Sequence, residues 1–189
     1  MKDVIDFLRS VYPLSDACCE HLSKIIKFRT VAKDEILLRP GEVCEFIFFI
    51  RKGLLRCFYL EGEKEVTSWL RKERDLCVSV DSYYDQLSSY EYIVAVEDCE
   101  LYYISFYEER EVFETFLEYN FIGRMLTQRE LREHARELRN IRMLSSSQRY
   151  LALLERDPEL VQRVPVMYLA SYLDMTPETL SRMRSLVSK

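Results

Sequence analysis

The sequence predicts an α+β fold: a strand-rich antiparallel unit flanked by helices, then a long helix, then two short helices near the end. Three observations carry this. Residues 28 to 104 run as short β-branched and aromatic segments, several separated by Pro40-Gly41, Gly53 and Glu61-Gly62, the pattern of an antiparallel sandwich or barrel. From Tyr107 to Leu144 there is no proline and good helix formers dominate, which predicts one long helix. The stretch "YLASYLDMTPETLSRMR", residues 168 to 184, repeats apolar side chains at helical spacing on both sides of a short break.

With 189 residues and a formal net charge of −5, the chain has room for a substantial core, and two compact units are expected. No segment has the long uncharged apolar run of a membrane helix, and "MKDVIDFLRS" lacks the apolar core of a signal peptide. A cytoplasmic protein is expected. Six scattered cysteines without a C-x-x-C pair predict buried reduced thiols rather than a disulfide frame or an iron–sulfur site. With only His21 and His134 and no H-E-x-x-H, no metal site is expected. Charge is uneven, at −5 for residues 1–107, −2 for 108–141 and +2 for 142–189. A change of sign at the C-terminus points toward a nucleic-acid face.

Taken in chain order, Val4, Phe7 and Leu8, then Ala17, Leu22, Ile25 and Ile26, mark two opening helices over 3–9 and 15–27, the second capped by Ser15. The strands are read from "EILLRP", "CEFIFFIRKG", "LLRCFYL", "KEVTSWL", "YIVAVE" and "ELYYIS". In the long helix, Leu117, Phe121, Met125, Gln128, Leu131, Ala135, Leu138 and Ile141 recur at three- and four-residue steps as one stripe. That stripe is longer than a small domain covers, so pairing with a second copy is expected, although Gly123 and Gln128 interrupt it. A Ser-capped helix around Tyr150, Leu151, Leu153 and Leu154 follows, with a turn at Asp157-Pro158 and a break at Pro165.

In the last segment Leu169, Ala170 and Leu173 form one apolar side, and the small Ala170 lets a second helix cross closely. That second helix starts at Thr176, whose hydroxyl can cap a free N–H, with Pro177 in its first turn. Its expected buried side is Leu180, Met183 and Leu186; its outer side is Glu178, Thr179, Ser181, Arg182 and Ser185. The spacing is that of a helix-turn-helix, with Asp174 in a turn that often requires a left-handed residue. Such a helix fits the DNA major groove: Arg182 suits guanine O6 and N7, Glu178 suits cytosine N4, and Thr179 or Ser181 reaches bases or phosphate.

Together with "RPGE" (39–42), "FIRKGLLR" (49–56) and "ERDPELVQRVPVMYLASYLDMTPETLSRMRS" (155–185), this order of elements resembles the CRP/FNR superfamily of bacterial transcription regulators, in particular the shorter group common in Bacteroidetes. The resemblance covers essentially the whole chain. It implies a cyclic-nucleotide-binding-like antiparallel β-roll over 1–107, a dimerisation helix over 108–144 and a helix-turn-helix domain over 145–189. It also implies a homodimer on a palindromic double-stranded DNA operator, with RNA polymerase as a further partner. The dimer interface would use Leu117, Phe121, Met125, Gln128, Leu131, Ala135 and Leu138. The DNA-binding set would be Thr176, Glu178, Thr179, Ser181, Arg182 and Ser185, the family's Glu and Arg contacts falling on Glu178 and Arg182.

Several positions depart from the family's pattern. An arginine that the cyclic-AMP receptor uses falls on Pro177. The Gly-Glu pair of the phosphate cassette falls on Val78-Ser79 and its Arg-Ser pair on Ser89-Tyr90, and no arginine lies between Asp75 and Phe106. A buried phosphate there would lack its paired cation, so cyclic AMP or cyclic GMP in the usual mode is not expected, and no cofactor is assigned. The segment "SVDSYYDQLSSYEY" is read as a solvated loop, or else as a pocket for an uncharged or aromatic effector around Val78, Ser79, Ser89 and Tyr90. No counterpart of the family's β-hairpin wing is expected after the second helix, so phosphate contacts are expected to fall to Arg149, Arg163, Arg184 and Lys189 beside Arg182. The alternative is a ligand-binding or interaction module that keeps the helix pair without operator binding. No Ser-His-Asp set, P-loop or metal set supports an enzyme.

Overall fold

The computed structural model describes residues 1–187. Two helices, α1 (Lys2–Val11) and α2 (Asp16–Ile25), open the chain. Ser15 caps α2, its hydroxyl accepting from the Cys18 amide at 3.2 Å. Eight strands follow: β1 (Lys27–Val31), β2 (Ile36–Leu38), β3 (Phe46–Lys52), β4 (Leu55–Glu61), β5 (Lys64–Arg71), β6 (Leu76–Cys77), β7 (Tyr92–Ala95) and β8 (Cys99–Ser105), with α3 (Val80–Asp85) between β6 and β7. They form two four-stranded sheets, ordered β1-β8-β3-β6 and β2-β7-β4-β5. The paired registers of β1 with β8, and of β3 with β8 and β6, are all antiparallel. The α+β class read from the sequence is therefore the fold observed.

Each of the six quoted strand runs forms a strand; β1 and the two-residue β6 are additional. In β3 the run Ile47, Phe48, Phe49, Ile50 is buried on both faces, because β8 and β6 flank it and α1 covers one side through Phe7, whose ring lies 5.0 Å from that of Phe49. Burying side chains of this size contributes about 1.5–3 kcal/mol each. Gly53, at φ +106°, turns β3 into β4 where a Cβ would lie 2.4 Å from the Cys99 sulfur, so no larger residue fits.

The helical text after β8 is not one rod. It forms α4 (Phe106–Thr115) and α5 (Leu117–Met143), separated by Phe116 in an extended conformation. The break has visible anchors: the Phe116 ring packs on His21 at 5.4 Å, and Asn120 Nδ2 donates to the Phe113 carbonyl at 2.7 Å. Asn120 thereby satisfies a carbonyl at the end of α4. The segment read as a solvated loop also differs, since its first half is the helix α3, with Ser82 and Tyr83 buried.

The chain ends in α6 (Ser146–Arg156), α7 (Pro158–Arg163), α8 (Val166–Tyr172) and α9 (Pro177–Val187). The described residues divide into two compact units. One holds residues 1–57 and 70–129; the other holds the tip of the β4–β5 hairpin, 58–69, and residues 130–187. The division passes through α5. No helix among the described residues is long and apolar enough to cross a membrane.

Candidate nucleic-acid interface

The C-terminal helix pair forms for local reasons. Leu173 ends α8, and Asp174 takes a left-handed φ of +51° to reverse the chain. Thr176 caps α9: its hydroxyl accepts from the Thr179 amide at 3.2 Å, three residues on, and Pro177 occupies the first helical position, where its missing N–H costs nothing. Leu169, Ala170 and Leu180 are fully buried, and Leu173 and Met183 nearly so. These are the apolar contacts expected from the spacing.

Leu186 does not join them; it is 70% exposed. The seven residues of α8 span about 10 Å and the eleven of α9 about 16 Å, so the last turn of α9 runs past the helix it packs on.

The outer face of α9 carries Glu178, Ser181, Arg182 and Ser185, all exposed, with Thr179 half-buried. Ser185 donates to the Ser181 carbonyl at 3.1 Å. The Glu178 carboxyl is held below its ordinary range, first by its own backbone amide and then by the Thr176 hydroxyl, so it presents a charge at neutral pH. Among the described residues Arg182 makes no hydrogen bond or ion pair.

The arginines expected beside it as phosphate contacts are engaged within the chain. Arg184 donates to the Val161 carbonyl at 2.6 Å, and Arg163 pairs with Glu159 at 2.7 Å. Arg149 donates to the carbonyls of Leu173 and Asp174 at 2.8 and 2.7 Å, with its side chain only 11% exposed. Lys189 lies outside the described residues.

Behind the pair, Ser171 of α8 accepts from the Thr67 amide at 2.9 Å and donates to the Glu65 carbonyl at 3.0 Å. The tip of the β4–β5 hairpin is thus fixed to α8 on strand backbone. The ring of Trp69 in β5 packs against His134 of α5, tilted by 50° with centroids 4.2 Å apart.

On α5, Leu117, Met125, Leu131 and Leu138 are exposed, as are Gln128 and Ala135. Phe121 is partly covered by its own chain, stacked on Tyr12 at 4.9 Å. A second face, missed in the sequence, holds the buried Tyr119 and Ile122.

Of the four effector positions, the fold brings two together. Ser79 and Ser89, both buried, have hydroxyls 3.1 Å apart, and Ser79 donates to buried Glu91 at 3.3 Å. Tyr90 points outward at 56% exposure, and Val78 is half-buried. Two further charged side chains are buried in the strands, Arg56 in β4 and Arg71 in β5. Both lie outside the arginine-free stretch between Asp75 and Phe106. The signal available in the sequence was a charge in the middle of an otherwise apolar strand, "LLRCFYL".

No family model and no curated protein matches the sequence. Solved structures do match in shape. The c-di-GMP responsive global regulator CLP of Xanthomonas campestris aligns at TM-score 0.70 and 16% identity over 92% of each chain. FixK2 of Bradyrhizobium japonicum aligns at 0.73 and 17%, over 87% of this chain and 85% of that one. A transcriptional regulator of the crp/fnr family from Eubacterium rectale aligns at 0.66 and 19%, over 90% and 82%. The chain has the CRP/FNR fold. Within that fold, the two sheets, the long α5 and the α8–α9 pair stand in the order that the resemblance implied.

Proposed function

We propose that the chain is a dimeric, sequence-specific DNA-binding transcription regulator of the cytoplasm. In this reading α8 and α9 are its helix-turn-helix, and α9 reads base edges in the major groove. The observation that carries it is the contrast, among the described residues, between Arg182 and the three arginines expected beside it as phosphate contacts. Arg149, Arg163 and Arg184 are bound to acceptors in the chain, whereas Arg182 is presented bare on the outer face of a capped helix. Beside it stands Glu178, whose ionised carboxylate suits cytosine N4 as the Arg182 fork suits guanine. The α9 apolar face is already spent on packing within the chain, so its polar face remains for a partner.

Dimerisation is supported by Leu117, Met125, Leu131 and Leu138, four large apolar side chains that α5 leaves exposed. The sensor has no usual cyclic-nucleotide cassette in this reading. At the cassette positions the Ser79 and Ser89 hydroxyls are hydrogen-bonded to each other, and Ser79 donates to the neighbouring Glu91, where the family's pattern has an arginine.

A salt titration tests the DNA reading. Affinity for a palindromic duplex found by selection should fall steeply between low and physiological salt, by a factor that grows with the number of phosphates neutralised. Binding that is weak and indifferent to salt would contradict it.

A further inference from the structure

A guanidinium carries five N–H donors in a rigid fork. In Arg149 each has an acceptor: Nε donates to the Leu173 carbonyl at 2.8 Å, Nη1 to the carbonyls of Leu144 and Ile141 at 3.1 and 3.4 Å, and Nη2 to the Asp174 carbonyl at 2.7 Å and the Ser146 hydroxyl at 3.4 Å. The four carbonyl acceptors belong to two places. Ile141 and Leu144 lie at the C-terminal end of α5, and Leu173 and Asp174 form the turn between α8 and α9. Helix C-termini present unpaired carbonyls and partial negative charge, which a cation satisfies. One side chain, itself nearly buried, therefore caps α5 and α8 together.

The turn it holds is the one that launches α9. Asp174, in its left-handed conformation, offers its carbonyl to Nη2 and its carboxylate at 3.8 Å.

We propose that Arg149 is the positioning residue that sets the distance between the two half-sites of the operator. The inference rests on the DNA-binding reading above. Two α9 helices reading one duplex must meet major grooves about one helical turn apart. If the dimer is joined along α5, the separation of the two α9 helices is fixed by where each sits against the end of its own α5. Arg149 fixes that placement. Lysine would not replace it, since an ammonium is a compact point charge and cannot fork to five acceptors.

The test compares wild type, Arg149→Gln and Arg149→Lys on three kinds of duplex: the selected palindrome, the same half-sites with one base pair inserted or removed between them, and an isolated half-site. Wild type should prefer its own spacing about tenfold or more. Both variants should cut that preference to about twofold, while half-site affinity stays within about twofold of wild type. A uniform loss on every duplex, half-site included, would make Arg149 a merely structural residue and overturn the proposal. If wild type reads no sequence at all, the DNA-binding reading falls and the spacing role with it. Amide exchange then judges the clasp alone: faster exchange at Leu144 and at Leu173 to Met175 in Arg149→Lys upholds it, and unchanged exchange removes it.

Discussion

The hydroxyl of Tyr83 donates to the Glu109 carboxylate at 2.8 Å. Tyr119 donates to the other carboxylate oxygen at 3.3 Å, so α3, α4 and α5 meet at one half-buried acid. Burial pushes the Glu109 carboxyl above its ordinary value of 4.5, and the two phenols only partly offset this. A carboxyl raised on folding contributes its full stabilisation below the unfolded value, and the contribution is lost as pH rises through the folded value. The fold should therefore weaken as pH rises from about 4.5 toward neutrality. Urea midpoints measured across that window should fall in wild type and flatten in Glu109→Gln. Parallel curves would contradict the assignment. Tyr83→Phe should cost about 1–3 kcal/mol, since it strips the half-buried Glu109 carboxyl of its shorter hydrogen bond.

Gly123 looked like a defect in the α5 stripe, but it is where Phe113 of α4 packs onto α5. A Cβ there would lie 2.6 Å from the Phe113 ring, itself packed on Tyr119 at 4.8 Å. Alanine would gain about 1 kcal/mol of helix propensity and lose about 1–3 kcal/mol to overpacking. Gly123→Ala should lower unfolding free energy by roughly 1 kcal/mol; a more stable variant would mean that Phe113 moves aside freely.

Leu131 and Leu138 are 67% and 49% exposed on one face of α5. Replacing both with lysine puts charges into the proposed seam without touching a buried contact. Light scattering should then report the mass of one chain instead of two, with helical circular dichroism unchanged. A wild type that is already monomeric at micromolar concentration would refute the seam.

Much of the C-terminal pair was legible in the sequence because its determinants are local. A threonine cap, a proline in the first turn, an apolar residue every third or fourth position and an aspartate able to turn left-handed all act within a few residues of one another. The strands were legible for the same reason, as β-branched runs cut by turns. What escaped depends on contacts distant in sequence. The interruption at Phe116 needs His21, about a hundred positions earlier, and α3 is a six-residue helix in polar text whose burial of Tyr83 is set by Glu109. Arg149 looked like any surface cation on a basic segment. Only the fold shows that its acceptors come from a helix end before it and a turn 24 residues after it.

The central claim is that α9 reads sequence through Arg182 and Glu178, and selection from random oligonucleotides tests it most directly. Wild type should enrich a two-fold symmetric motif. Arg182→Ala should weaken binding to that motif by about 1–3 kcal/mol and relax one base position, while leaving background binding nearly unchanged. No enriched motif with wild type, or an equal loss on specific and random DNA with Arg182→Ala, would contradict the account.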